Sequence, residues 1–175
     1  AQGIDLTVVG PESALAAGIV DEFESRGLKI FGPSKAAAVI ESSKDFAKAL
    51  MVRHNVPTAA YRTFSSYDEA LAYVREGKFP VVLKYDGLAA GKGVVIAENL
   101  QQADETLRDM LLDDRFGHGK VVVEEFLTGP EVSVLAFTDG KVVKPMVSSM
   151  DHKRAGDNDT GLNTGGMGTV APNPY

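Results

Sequence analysis

From Ala59 to Glu125 the chain alternates short runs rich in β-branched residues with capped amphipathic segments, in the order β-α-β-loop-β-α-β. That order leaves room for little except a compact α+β unit. The expected strands are Ala59–Phe64, Pro80–Lys84, Gly93–Ala97 and Val121–Glu125. Ser66-Tyr67-Asp68-Glu69 is a capping box that opens a helix to about Arg75, and Asn99, with Gln102 three residues on, opens another to about Leu112. Upstream, Asp5–Val9 reads as a buried strand stopped by Gly10-Pro11. A helix follows with Leu15, Ile19, Val20 and Phe23 on one face and Gly27 at its C-cap, then a strand from Leu28 to Phe31. Strand, helix and strand with short links make a βαβ unit and a parallel pair. Ser34 to Glu41 reads as a short helix. Ser42 or Ser43 caps the next one, where Phe46, Ala47, Leu50 and Met51 form a stripe that ends before Pro57. Downstream, Glu131–Phe137 and Lys141–Val147 read as strands joined by a turn at Thr138-Asp139-Gly140. Asp151 to Tyr175 is polar and glycine-rich, which predicts a functional or disordered loop.

Composition narrows the function. The 175 residues contain no cysteine and three histidines, which excludes a disulfide scaffold or thiolate metal site and argues against a histidine-rich one. A net charge of −6 is a poor match for general nucleic-acid binding. No apolar run approaches the roughly 20 residues of a membrane span, and no secretory segment opens the chain, so the cytoplasm is the default expectation. A start at Ala1 without Met, running almost at once into a strand, suggests an internal piece of a longer protein.

Four stretches can carry chemistry. In Gly87-Leu88-Ala89-Ala90-Gly91-Lys92-Gly93, glycines let backbone N–H groups converge on an anion and a lysine adds charge. The spacing is not that of a Walker loop, and a strand follows rather than a helix, so the expectation is a flap over phosphates; a plain hairpin turn is the competing reading. Lys84 ends an apolar strand beside this loop, where it either meets an anion or reaches solvent. Glu124-Glu125-Phe126-Leu127 leads into a hinge whose backbone suits an adenine edge, with Glu131 placed for ribose hydroxyls. On residue type alone, solvent glutamates at a hinge fit better. Asp151-His152-Lys153-Arg154 and Asn163-Thr164-Gly165-Gly166-Met167-Gly168 suit an anionic substrate or a mobile surface loop. Glu12, after Gly10-Pro11, sits where parallel sheets bind ligands, but an acidic first helical residue is the simpler account.

These segments in this order, with Ser43-Lys44-Asp45-Phe46-Ala47-Lys48 and Asp86-Gly87-Leu88-Ala89-Ala90-Gly91-Lys92-Gly93-Val94 among them, resemble the phosphoribosylamine–glycine ligase family of the ATP-grasp superfamily. The likeness spans nearly the whole chain. One departure is Gly156-Asp157-Asn158-Asp159-Thr160-Gly161-Leu162-Asn163, which lacks a Phe and a Pro usual in that run. The resemblance implies α/β plus α+β architecture. Residues 1–40 would be the tail of a Rossmann-like domain, 41–58 a linking helix, 59–125 the ATP-grasp lid and 126–175 the start of the catalytic core. It implies ATP with Mg2+ or Mn2+, the substrates glycine and 5-phosphoribosylamine, and a monomeric parent.

By the same resemblance, Lys44 and Lys84 contact ATP phosphates and the loop from Gly87 through Leu88, Ala89, Ala90, Gly91 and Lys92 to Gly93 covers them. Glu124, Glu125, Phe126 and Leu127 meet adenine, and Glu131 the ribose. Asp151, Lys153, Asn163, Thr164, Gly165 and Gly166 line the substrate side, with Asp151, Lys153 and Asn163 as the catalytic candidates. Glu12 helps hold phosphoribosylamine. The metal ligands are expected beyond Tyr175, so the 175 residues alone are expected not to turn over. The alternatives are another ATP-grasp carboxylate–amine ligase, a non-catalytic nucleotide-binding fragment, and an interaction module that binds no nucleotide.

Overall fold

The computed structural model describes residues 3–87, 93–113, 119–158 and 160–175. The chain divides into two compact units, Ala1–Phe126 and Leu127–Tyr175.

In the first unit, β1 (Thr7–Val8) pairs in parallel with β2 (Ile30–Phe31), Thr7 opposite Ile30. Two helices, α1 (Glu12–Ala17) and α2 (Ile19–Ser25), occupy the interval where the sequence predicts one. The break is Gly18. Its φ of +96° is left-handed, which ends the ladder of α1, and its N–H turns back to Leu15 O at 3.0 Å. α3 (Lys35–Ser42) and α4 (Lys44–Arg53) follow. The hydroxyl of Ser34 accepts from Ala37 N, and that of Ser43 from Phe46 N, so Ser43 rather than Ser42 opens α4.

The rest of this unit has the expected element order. β3 (Tyr61–Phe64), α5 (Tyr67–Glu76), β4 (Val81–Tyr85), β5 (Val94–Ala97), α6 (Leu100–Leu111) and β6 (Val121–Glu125) form an antiparallel sheet in the order β3-β6-β4-β5, with α5 and α6 on one face. Side-chain alternation decides what each residue faces. Leu83, Tyr85, Val121 and Val123 enter a core with Leu71 and Val74 of α5 and Leu107 and Met110 of α6. Leu83, Leu107 and Val121 are fully buried, each side chain contributing about 1.5–3 kcal/mol relative to exposure. Ser66 and Asn99 cap their helices as the sequence predicts. The opposite face of the sheet carries Val82, Lys84, Val122 and Glu124, and that parity positions the candidate site.

In the second unit, β7 (Ala136–Thr138) and β8 (Val143–Pro145) pair antiparallel. The turn is held by Asp139, whose Oδ1 accepts from Lys141 N at 2.9 Å and Val142 N at 2.8 Å. These strands are shorter than expected, although a separate bridge joins Ser133 and Ser149. The segment expected to be a loop instead folds into two small ribbons. β9 (Met150–Asp151) pairs with β12 (Thr169–Val170), and β10 (Arg154–Gly156) with β11 (Thr160–Asn163). Polar bonds stand in for an apolar core there: Arg154 Nη1 donates to Gly161 O at 2.9 Å, and Thr160 Oγ1 to Asp157 O at 2.7 Å. Among the described residues no helix is long and apolar enough to cross a membrane.

Candidate active site

Lys84 on β4 and Glu124 on β6 are diagonal neighbours on the sheet face turned away from α5 and α6. Val82 stands opposite Glu124, and Lys84 opposite Val122. The Lys84 ammonium lies 2.9 Å from Glu124 Oε2. Glu124 is only 5% exposed, so a solvent glutamate is ruled out at this position. A buried carboxylate needs cations, and among the described residues it has two. The second comes from α4: Lys48 Nζ lies 3.1 Å from the same oxygen and 5.5 Å from the centre of the Tyr61 ring.

The first turn of α4 is tied to the start of the glycine loop. Asp86 Oδ1 accepts from the backbone N–H of Lys44 at 2.6 Å and of Asp45 at 3.2 Å, while Oδ2 accepts from Ser43 Oγ at 3.2 Å. Lys44 Nζ donates to Gly87 O at 2.9 Å. Burial lowers the Lys44 pKa below its ordinary value; the Asp86 carboxylate opposes the shift and the Lys84 charge adds to it. An anion placed here would oppose the lowering, as the Asp86 carboxylate does. Asp45, beside it, accepts from Lys120 Nζ and from Thr63 Oγ1, both at 2.8 Å. Gly93 O accepts from Tyr85 N at 2.8 Å and closes the neck of the loop. Leu88, Ala89, Ala90, Gly91 and Lys92 lie outside the described residues.

At the end of β6, Glu125 is exposed yet tied back to the chain just before β3. Its Oε1 accepts from Ala60 N at 2.8 Å, and its N–H donates to Ala60 O at 3.0 Å. Phe126 is exposed at the end of the first unit. There Ala60, Tyr73, Phe79, Val81, Glu125 and Phe126 help line a cleft of about 310 Å³. Leu127, also exposed, opens the second unit.

Within the second unit, Lys153 Nζ lies 2.7 Å from Asp151 Oδ2 and 3.7 Å from Glu131 Oε1. The bond between them raises the Lys153 pKa and lowers that of Asp151. The candidate ribose acceptor and the candidate substrate lysine are thus neighbours. Thr164 donates from its N–H at 2.6 Å and its hydroxyl at 2.9 Å to Lys153 O, and Gly166 N donates to Thr164 Oγ1 at 3.1 Å. Gly166 adopts φ +116°, and a Cβ there would come 3.3 Å from Asp151 Oδ2. Space around Gly165 is open. The Asn163 backbone pairs with Arg154, but its side chain lies outside what the structure describes. Glu12, in the first unit, is the exposed first residue of α1.

Lys48 and Asp86 are site residues that sequence reasoning did not assign. Lys48 had one signal: it stands four residues after Lys44, one helical turn along the same face. Among the described residues, no three His, Cys, Asp or Glu side chains gather closely enough to hold a metal ion.

Residues 42–175 match the family model described as the phosphoribosylglycinamide synthetase ATP-grasp (A) domain, and residues 1–41 match the N domain of the same synthetase. The chain belongs to the phosphoribosylglycinamide synthetase family. Curated relatives of this chain include the phosphoribosylamine–glycine ligases of Haemophilus influenzae, 56% identical over 98% of the chain, and of Escherichia coli, 53% identical over 98%. The chain spans 40% of the length of each. Among solved structures, the phosphoribosylamine–glycine ligase of Thermotoga maritima matches with a TM-score of 0.79 at 32% identity, over 93% of this chain and 40% of that one. A biotin carboxylase from Campylobacter jejuni, crystallised as a β,γ-ATP complex, shares the fold at 20% identity and a TM-score of 0.68, over 83% of this chain and 34% of that one.

Proposed function

We propose that this chain supplies the nucleotide-binding part, and a portion of the substrate side, of an enzyme that joins glycine to 5-phosphoribosylamine at the expense of ATP. The γ-phosphoryl group passes to the glycine carboxylate, giving glycyl phosphate and ADP. The amine of phosphoribosylamine attacks the acyl carbon, the C–O bond to phosphate breaks, and glycinamide ribonucleotide, phosphate and a proton leave. Phosphoryl transfer of this kind depends on positioning and charge neutralisation. Relatives named phosphoribosylamine–glycine ligase support the substrates.

The observation that carries the reading is the convergence of Lys44 and Lys84, backed by buried Glu124, at the neck of the glycine loop. Lys44 and Lys84 take the phosphates, and the loop from Gly87 to Gly93 covers them. Glu124, Glu125, Phe126 and Leu127 run beside adenine, with Glu131 on the ribose. Asp151, Lys153, Asn163, Thr164, Gly165 and Gly166 face the substrates, and Glu12 faces phosphoribosylamine. A closed site would keep water from the acyl phosphate. Residues 1–40 are the end of a Rossmann-like domain, 41–58 a linking helix, 59–125 the lid and 126–175 the opening of the catalytic core, within a cytoplasmic, monomeric protein. Magnesium would offset phosphate charge.

The test is calorimetric titration of ATP into the full-length protein and its Lys84→Met variant. Binding by the parent, weakened about tenfold or more in the variant, supports the site. Equal affinity in both overturns it.

A further inference from the structure

Lys48 is 6% exposed, and all three of its ammonium protons have acceptors: Glu124 Oε2 at 3.1 Å, Thr58 Oγ1 at 2.8 Å and Ala59 O at 3.2 Å. It has no donor left for a ligand. Lys84 differs in each respect. Its side chain keeps 28% of its surface exposed, and among the described residues its one partner is that same Glu124 oxygen. One carboxylate oxygen therefore holds one cation locked in place and another with protons to spare.

We propose that Lys48 is a positioning residue that keeps Glu124 neutralised so that Lys84 can turn toward an incoming phosphate. This rests on the nucleotide reading above. A carboxylate as buried as Glu124 is costly without a counter-cation. If Lys84 were its sole partner, any movement of Lys84 toward a phosphate would strand that charge, and the Glu124 carboxylate would compete with the ligand. With Lys48 fixed on Oε2 by two further acceptors, Glu124 stays paired wherever Lys84 points. Lys48 acts through Glu124 and Lys84 and touches no substrate.

The experiment uses the full-length protein, with ATP and adenosine as titrants. Lys48→Met keeps the stem and removes the charge. It is expected to weaken ATP binding about tenfold and adenosine binding less than about twofold, because the deficit falls on the phosphate-facing lysine. In a Glu124→Gln background, where no buried carboxylate is left to neutralise, the same Lys48→Met change is expected to move ATP affinity by less than about threefold. A full tenfold loss in that background, or an unchanged ATP affinity for Lys48→Met alone, overturns the inference. So does an equal loss for ATP and adenosine. The comparison between Glu124→Gln and the double variant stands even if the single Lys48→Met protein fails to fold. Lys84→Met separates the two claims: if it leaves ATP binding intact, the nucleotide reading itself fails. If it weakens binding while Lys48→Met does not, only the role of Lys48 fails.

Discussion

The Asp86 carboxylate caps a helix it does not belong to, accepting from the backbone N–H of Lys44 at 2.6 Å at the first turn of α4. The same residue begins the glycine loop, and Lys44 returns a bond to Gly87 O at 2.9 Å. Helix start and loop start are thus joined by four hydrogen bonds, three to Asp86 and one to Gly87. Asp86→Ala removes three acceptor contacts, and urea denaturation of the full-length protein should show a loss of about 1 kcal/mol, as for other lost caps. Asp86→Asn keeps an acceptor oxygen and should recover most of that loss. Equal stability of Ala and wild type would mean that Ser43 caps α4 without help.

Acid stability should depend on Asp45. Its carboxyl is held below the ordinary value of 3.8, first by the hydrogen bond from Lys120 and then by that from Thr63. A depressed folded-state pKa contributes stability that is present above the unfolded value and lost as pH falls through the folded one. Circular dichroism in moderate urea, followed from neutral pH to below the unfolded value, should show a steeper acid limb for the parent than for Asp45→Asn. Superimposable profiles would show that the contact with Lys120 is too solvated to matter.

Gly119 should tolerate no side chain. A Cβ there would lie 2.5 Å from the Tyr85 hydroxyl oxygen and 2.6 Å from two ring carbons, while the other side of the ring meets Gly87. Tyr85 is buried and cannot swing freely into solvent. Gly119→Ala should cost about 1–3 kcal/mol, the usual range for overpacking. A denaturation midpoint equal to that of the parent would show that the ring yields at no cost.

Leu107 is the core position to truncate. It is fully buried in the cluster that joins α5 and α6 to the sheet. Leu107→Ala should lower stability by about 2–5 kcal/mol in thermal or urea unfolding. A loss under about 1 kcal/mol would mean the layer collapses around the gap.

Strand parity made the sheet face of Lys84 readable, but Glu124 read as a solvent glutamate, because only the register of β6 against β4 brings it beside Lys84. Capping boxes and turn residues located α5, α6 and the β7–β8 turn for equally local reasons. What stayed hidden depended on distant partners. Lys48 looks like any solvent lysine on an amphipathic helix until Thr58, Ala59 and Glu124 close over it. Gly18 gave no sign of splitting a helix, since a glycine inside a helical pattern is often tolerated. The ribbons between Met150 and Val170 carry too few apolar residues to show a period of two, so backbone pairing there left no trace in hydrophobicity.

The strand order β3-β6-β4-β5 also constrains how this unit assembles on the ribosome. β4 and β5 are sequence neighbours and can zip as soon as both have emerged, but among the described strands β3 pairs with β6 alone, with Tyr61 opposite Glu124. The first strand of the sheet made is therefore held in waiting, its edge unpaired, until the last has been translated. The sequence separation between Tyr61–Phe64 and Val121–Glu125 raises the contact order of the unit, and until β6 emerges β3 is an unpaired strand of the kind that aggregates.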